Sequence, residues 1–188
     1  MLISKETCNK LSDLDIVRQS LANIDYFSCL HDRYESRLLR YIKRISYVTN
    51  EEAEDILQEA FIKIWKNLND FNPSLKLSSW LYRIVHNQTI SYWRKNKSLK
   101  NDHQIIFDEN ISQTIADDFQ LDHEKEQLVA TQIHSTLNQL PKKYKEVLIL
   151  KYFEKMSYEE ISDVLKIPEG TVATRINRAK KAFEKSRQ

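Results

Sequence analysis

The chain has 188 residues, 41% of them hydrophobic, and a formal net charge of only +2. This length and composition allow one or two small domains with hydrophobic cores, so a disordered chain is not expected. Gly170 is the single glycine. Because phosphate-binding loops and dinucleotide-binding fingerprints need several glycines, nucleotide-driven enzymes are disfavoured.

The first 23 residues are interpreted as an N-terminal extension. They lack the apolar core of a signal peptide, and no segment of the sequence has the length and apolarity of a membrane span. Cys8 and Cys29, the two cysteines, do not have a metal-binding spacing, so we predict reduced thiols in a cytoplasmic protein. The five histidines lack the pair spacing of a zinc hydrolase, and no metal or other cofactor is predicted.

Helical periodicity dominates the rest of the chain and predicts an all-α protein. Two helical domains are expected, at 24–97 and 126–188. Between them, 98–125 is acidic and lacks a sustained apolar stripe, so it is predicted to be a linker. The first helix, in 26–45, has an inward stripe of Leu30, Tyr34, Leu38, Tyr41, Ile42 and Ile45.

The second helix is predicted to begin at Thr49, because Glu52 follows at the spacing of a capping box. Its inward stripe comprises Ala53, Ile56, Leu57, Ala60, Ile64, Trp65 and Leu68. The opposite face carries Asp55, Gln58, Glu59 and Ile62. Acids in the first turn complement the helix dipole, but Asp55 and Glu59 lie beyond it, so this face predicts an electropositive partner.

The third helix, in 78–97, has an inward stripe of Leu81, Ile84, Val85 and Tyr92. Its predicted exposed side combines cations with aromatic rings. Arg83, Asn87 and Arg94 form one strip, and Tyr82, His86 and Trp93 form the strip beside it. Rings that stack on bases next to guanidinium groups are typical of single-stranded nucleic-acid binding. The alternative is that Tyr82 and Trp93 are buried against a neighbouring helix.

A helix, a turn and a second helix are predicted within 157–183. Ser157 and Glu160 form a capping box, and Pro168 separates the two helices. In the second helix Val172, Ile176, Ala179 and Phe183 face inward. At 100° per residue, the polar and basic residues that point outward are Thr171, Thr174, Asn177, Arg178 and Lys181. This face suits a DNA major groove, with Arg175 at its flank near phosphates, although a solvated basic helix is the alternative.

Three segments together resemble the extracytoplasmic-function (ECF) group of RNA polymerase sigma factors. They are AEDILQEAFIKIW, FNPSLKLSSWLYRIVHNQTISYWRK and LPKKYKEVLILKYFEKMSYEEISDVLKIPEGTVATRINRAKKAF. They occur in the family's order over about 26–183. The resemblance implies a sigma region 2 domain and a sigma region 4 domain. It also implies a non-catalytic subunit that binds core RNA polymerase, recognises promoter DNA, assists promoter melting and is held by an anti-sigma factor.

The resemblance assigns roles to residues. It implies that Asp55, Gln58, Glu59 and Ile62 bind core polymerase. It implies that the minus-ten element is bound by Trp80, Tyr82, Arg83, His86, Asn87, Trp93 and Arg94. It implies minus-thirty-five contacts from Ala173, Thr174, Asn177 and Arg178, which overlap the outward face above. Ser91, Ala173 and Lys166 depart from the family's common residues, and Ala173 offers only a methyl group to a base.

Two other functions remain open on the sequence. One is a free-standing helix-turn-helix regulator whose first domain serves dimerisation or ligand binding. The other is a carboxylate-metal enzyme that uses Asp55 and Glu59, although no matching histidine helix supports it.

Overall fold

The structure is a computed structural model that describes residues 3–46, 48–97, 132, 133 and 135–186. Over these residues the regular elements are all helical, which confirms the predicted all-α class. The chain divides into two compact units. The first comprises Met1–Ile42 with Asn50–Asn101, and the second comprises Lys43–Thr49 with Asp102–Gln188. The predicted linker, 98–125, lies outside the described residues.

The first unit is built from helices, and those predicted from the sequence begin close to their predicted starts. The helices of this unit are α1 (Lys5–Lys10), α2 (Asp13–Ala22), α3 (Phe27–Ile45), α4 (Asn50–Lys66) and α5 (Leu77–Lys97), with 3₁₀ turns at Ile24–Tyr26 and Leu68–Asp70. Helix α4 begins directly after Thr49, the predicted cap. The predicted inward stripes of α3 and α4 are buried, except that Trp65 is half-buried. Each such large apolar side chain contributes about 1.5 to 3 kcal/mol by leaving water.

The buried side of α5 is wider than predicted. Leu81 and Val85 are fully buried as expected, whereas Ile84 and Tyr92 are half-buried. The buried surface extends around the helix to polar side chains: Ser79, His86, Gln88 and Thr89. Helix α5 contacts α3 on one side and α4 on another, and this double packing explains the wide buried arc.

Residues 3–22 pack on α3 through a hydrogen-bonded arginine. Arg33 donates to the Asp13 carboxylate at 2.7 Å and to the carbonyl oxygens of Cys8 and Leu11 at 2.6 and 2.8 Å. These carbonyls lie at the C-terminal end of α1, where helix carbonyls need partners from outside the helix. Tyr34 also donates to Asp13 at 2.5 Å, and its burial raises the pKa of this phenol, so the donor stays protonated.

Cys8 and Cys29 form a disulfide, so the prediction of reduced thiols is wrong. Their Cα atoms lie 5.2 Å apart, within the usual range for a bridge. The pairing depends on how α1 packs against α3. Sequence spacing cannot show this, because the two cysteines are 21 positions apart and belong to no recognisable motif.

The second unit contains a helical segment at 135–139 and three further helices. They are α6 (Lys142–Leu148), which continues as a π-helical turn at Ile149–Phe153, α7 (Tyr158–Leu165) and α8 (Glu169–Ser186). The predicted inward residues Ile161, Val164, Val172, Ile176 and Ala179 are buried, whereas Leu165 and Phe183 are half-buried. Helix α8 packs against both α6 and α7.

Local hydrogen bonds fix both the start of α7 and the turn between α7 and α8. The predicted capping box is confirmed: Glu160 N–H donates to the Ser157 hydroxyl at 3.1 Å, and Ser157 N–H donates to the Glu160 carboxylate at 2.6 Å. Lys166 ends α7 in the left-handed conformation, with φ of 53°. Pro168 precedes α8, and its carbonyl accepts from the Thr171 and Val172 N–H groups. The helix-turn-helix therefore begins and turns at the predicted positions, and its second helix continues to Ser186, beyond the predicted end at Phe183.

Reduction of the disulfide should destabilise the first unit. A bridge closing a loop of this length stabilises a fold by about 3 kcal/mol in the chain-entropy description. Trp65, Trp80 and Trp93 all lie in the first unit, so their fluorescence reports its urea unfolding. We expect dithiothreitol to lower the urea midpoint of the wild type. The Cys8→Ser, Cys29→Ser protein should have the low midpoint with or without the reductant, and equal midpoints for reduced and oxidised wild type would contradict the bridge.

Candidate nucleic-acid interfaces

Helix α8 exposes most of its predicted DNA-facing residues. Thr174, Asn177, Arg178 and Lys181 are exposed, and Thr171, Ala173 and Arg175 are half-buried. The outward orientation derived from helical spacing is therefore confirmed for the first four. Contact of any of these residues with DNA stays a prediction.

A polar cleft of about 260 Å³ lies at the N-terminal end of α8. Lys143 and Tyr144 of α6 form one wall, and Thr174, Arg175 and Arg178 of α8 line the other. The N-terminal N–H groups of an 18-residue helix and three neighbouring cations all favour an anion here. The Thr174 hydroxyl donates to the Gly170 carbonyl at 2.8 Å, so the donors available to a phosphate here are the cations and the backbone N–H groups. The chemistry of the cleft matches a phosphate.

Two charged residues are buried in α6, below this cleft. Glu146 is 8% exposed and lies 3.8 Å from the Lys142 ammonium group. Burial raises the pKa of Glu146, while the positive charges of Lys142 and Arg175 act in the opposite direction. Glu146 therefore interacts with Arg175, one of the cations that line the cleft. Lys145 is 5% exposed and donates to the Asn138 side chain at 2.8 Å.

Three of the predicted minus-ten residues on α5 are buried, and the predicted exposure of two of them, Tyr82 and His86, is wrong. Trp80, Tyr82 and His86 are only 5%, 3% and 8% exposed. The Tyr82 ring lies 5.0 Å from that of Tyr41, whose hydroxyl makes a 2.9 Å hydrogen bond with Nδ1 of His86. Trp80 packs on the ring of Phe71 at 5.5 Å. Tyr82 and His86 thus belong to the α3–α5 contact, and none of the three buried side chains can stack on bases in this conformation.

The remaining predicted residues of α5 lie at the surface. Asn87, Trp93 and Arg94 are exposed, and Arg83 is half-buried. The alternative that an aromatic residue is buried thus holds for Tyr82 but not for Trp93, which is 40% exposed. One exposed indole beside two arginines and an amide is sufficient to stack on a single unpaired base and to hold its phosphates.

The loop before α5 presents a short, ordered turn. The Asn72 side chain accepts from the N–H of Ser74 at 3.0 Å, and the Asn72 carbonyl accepts from the N–H of Leu75 at 3.0 Å. An asparagine that bonds the backbone two residues later is typical of an Asx turn. All residues of 72–76 are exposed. The resemblance predicts that this loop takes part in minus-ten binding.

Helix α4 places its predicted partner face in solvent. Asp55, Gln58, Glu59 and Ile62 are exposed, and Ile62 exposes 54% of its surface. Behind this face, the buried side chain of Gln88 donates to the Glu59 carboxylate and accepts from Lys63. Sequence reasoning missed Gln88. The sequence does contain a signal: Gln88 lies three residues after Val85 and four before Tyr92, so helical spacing places this polar residue on the inward side of α5.

Over the described ranges, no group of three or more histidine, cysteine or acidic residues is arranged to hold a metal ion. Asp55 and Glu59 thus have no companion ligands among the residues described, and the carboxylate-metal hypothesis gains no support.

None of the described helices has the length and apolarity needed to cross a membrane.

Comparisons with known proteins cover both units. A family model for sigma-70 region 2 matches residues 30–99, and a model for sigma-70 region 4 matches residues 130–183. The chain is 37% identical over 169 residues to the ECF RNA polymerase sigma factor SigW of Bacillus subtilis, covering 86% of this chain and 88% of SigW. The chain belongs to the ECF sigma factors of the sigma-70 family. This confirms the resemblance in the sequence.

Other similar proteins agree. The RNA polymerase sigma-H factor of Pseudomonas aeruginosa is 33% identical over 174 residues, covering 86% of each chain. Two solved structures share the fold: CnrH in complex with the cytosolic domain of CnrY, and the sigma factor RpoE in complex with the anti-sigma factor NepR from Bartonella quintana. The first has a TM-score of 0.65 and 22% identity and covers 90% of this chain and 92% of CnrH. The second has a TM-score of 0.63 and 20% identity and covers 85% and 95%.

The protein is thus a sigma factor that recognises promoters in transcription initiation. The free-standing helix-turn-helix regulator is not favoured, because the sigma-70 matches include the first unit as well as the motif. For the same reason the first unit is not a separate dimerisation module attached to a DNA-binding domain.

The buried ammonium group of Lys145 should make the second unit sensitive to pH. Burial lowers the pKa of this lysine from 10.5 to about 8, so between these values the unfolded chain binds more protons than the folded chain. The free energy of unfolding should therefore rise with pH across this window, by about 3 kcal/mol for this group. Lys145→Met should remove that rise and stabilise the unit at pH 7.

Amide hydrogen exchange of α6 and α8, followed by NMR from pH 7 to 10, gives the local stability. The control is Lys143→Met, an exposed lysine on the same helix, which should keep the wild-type dependence on pH. If local stability depends on pH in the same way in the wild type and in Lys145→Met, Lys145 is not the group responsible for the rise.

Proposed function

We propose that this sigma factor binds core RNA polymerase through the exposed face of α4 and reads promoter DNA through the surfaces of α5 and α8. It is a non-catalytic subunit that acts in the cytoplasm without a cofactor. The observation that carries the proposal is the separation of charge between elements. The α4 face is acidic beyond the reach of its helix dipole, whereas the cleft at α8 is lined by cations.

The polymerase-binding face comprises Asp55, Gln58, Glu59 and Ile62. Asp55 and Glu59 are one turn apart, and Ile62 adds an exposed apolar side chain beside them. Interfaces commonly combine a desolvated apolar centre with charges that set orientation and speed association. The face suits a basic surface with an apolar depression, and the family resemblance identifies that surface as the clamp helices of the polymerase.

The minus-thirty-five element binds along α8. Asn177 and Arg178 are exposed and long enough to reach base edges, with Arg178 suited to a bidentate contact with guanine. Ala173 contributes a methyl contact, which favours a thymine. Lys143 and Arg175 line the cleft and bind phosphates, so they fix the position of the helix but carry no sequence information.

The minus-ten element binds at the exposed residues of α5 and at the loop before it. Trp93 stacks on an unpaired base of the non-template strand, while Arg83 and Arg94 hold the backbone and Asn87 contacts a base edge. Stacking returns about 1 to 3 kcal/mol per base, comparable with the cost of extruding a base from the duplex. Trp80, Tyr82 and His86 support this surface from below.

Regulation by an anti-sigma factor is also proposed. RpoE from Bartonella quintana has the same fold and is described in complex with the anti-sigma factor NepR. An inhibitor of that kind would compete for the surfaces that bind polymerase or DNA.

Reversal of one charge on α4 tests the polymerase-binding face. Asp55→Lys should lower affinity for core polymerase at least a hundredfold, because like charges facing each other across an interface cost several kcal/mol. Stability should change by less than about 0.5 kcal/mol, since Asp55 is exposed. The measurement is a fluorescence titration of labelled sigma factor with core polymerase.

The matched control is Glu54→Lys, which makes the same charge change at the preceding position of α4. Glu54 is also exposed but lies outside the polymerase-binding face. Equal affinities for the two folded variants would place the polymerase-binding surface elsewhere.

Two arginines of α8 should separate base recognition from phosphate binding. Arg178→Ala should cost about 1 to 3 kcal/mol on the preferred promoter and relax preference at one position. Arg175→Ala should weaken binding of all sequences and reduce the slope of log affinity against log salt by about 1. Holoenzyme binding to a randomised minus-thirty-five element, measured at several salt concentrations, distinguishes the two. A change in base preference for Arg175→Ala but not for Arg178→Ala would reverse the assignment.

A further inference from the structure

A buried glutamine lies directly behind the polymerase-binding face. Gln88 is only 5% exposed, although glutamine usually lies at the surface. Its Nε2 donates to Oε2 of Glu59, and its Oε1 accepts from Nζ of Lys63. The amide therefore bridges α5 to two residues of α4 that are one turn apart.

The chemistry of the partners fixes the orientation of this amide. A carboxylate only accepts hydrogen bonds and an ammonium group only donates them, so a flipped amide would meet a like partner at both ends. Burial and two partners hold the glutamine side chain in one conformation. Gln88 is thus a rigid donor at the base of the Glu59 carboxylate.

A fixed carboxylate is the more effective binding group. A glutamate loses rotamer freedom when an interface immobilises it, and this lost entropy weakens binding. Because Gln88 already restrains Glu59, part of that loss occurs on folding and not on binding. The restraint uses Oε2, and a carboxylate has lone pairs to accept further donors from a partner.

We propose that Gln88 is a positioning residue for polymerase binding, which it serves by holding the Glu59 carboxylate in its binding orientation. The inference rests on the proposed assignment of the α4 face to core polymerase. Gln88 itself touches no partner, since it is buried beneath that face. Asn87, the residue before it in α5, is exposed and is proposed to contact promoter DNA. The same turn of α5 therefore supports the polymerase-binding face through Gln88 and faces promoter DNA through Asn87.

The test compares affinities for core polymerase in a double-mutant cycle of Gln88→Met and Glu59→Ala. Methionine matches the length of glutamine but cannot donate to a carboxylate. Loss of one hydrogen bond to a charged group predicts an affinity about tenfold lower for Gln88→Met. In the Glu59→Ala background the same substitution should change affinity by less than about twofold. An equal loss in both backgrounds would show a merely structural role and overturn the proposal.

Thr89→Val is the matched control. Thr89 is a buried polar residue at the next position of α5, but its hydroxyl donates within its own helix, to the Val85 carbonyl at 2.8 Å. Polymerase affinity should be unchanged in this variant. Asp55→Lys separates failure of the Gln88 positioning role from failure of the polymerase-binding face. If Asp55→Lys abolishes binding and folded Gln88→Met retains full affinity, the positioning role fails and the polymerase face stands; if both bind normally, the face itself is wrong.

A second measurement does not depend on the folding of Gln88→Met. In the wild type, the side-chain NH₂ protons of Gln88 should exchange slowly with water, as observed by ¹⁵N NMR, and Glu59→Ala should accelerate their exchange. Fast exchange in the wild type, or no change in the variant, would overturn the proposal.

Discussion

The contact of α5 with both α3 and α4 determines which residues of the first unit can bind a partner. On the α3 side, the hydrogen bond between Tyr41 and His86 is buried, and the Tyr82 ring packs beside it. On the α4 side, Gln88 bonds to the two charged residues of the neighbouring helix. Because buried polar groups without partners are costly, these bonds define how α5 is rotated about its axis. The same rotation leaves Asn87 and Trp93 in solvent.

In the second unit, a buried acidic residue lies close to the cations of the proposed DNA-binding surface. Glu146 lies below the cleft, near the cations of Lys142 and Arg175. The carboxyl group interacts with both cations, and Arg175 is one of those that line the cleft. The capping box at Ser157 fixes the start of α7, and the turn at Lys166 sets the direction of α8 relative to α7. The proposed DNA-binding surface is therefore positioned by residues that lie outside it.

The sequence predicted the helices well because their signals are local. The capping box at Ser157 and the apolar stripes of α3, α4 and α8 depend on spacing within one helix, and the structure confirms them. The errors concern properties that depend on neighbouring helices. Helical spacing indicates which side of α5 is buried but not how wide the buried arc is, so Tyr82 and His86 were predicted to be exposed. The disulfide and the role of Gln88 depend on contacts between helices, which periodicity does not contain.

The central claim is that this chain gives promoter specificity to core RNA polymerase. The most direct measurement is in vitro transcription by purified core polymerase with the full-length protein, on a library of duplex promoters randomised at the minus-ten and minus-thirty-five elements. The account predicts that transcripts appear only when the protein is added, and that they arise from templates sharing a preferred sequence at both elements. Absence of stimulated transcription, together with tight binding of duplex DNA by the protein alone, would contradict the account and favour a free-standing DNA-binding regulator.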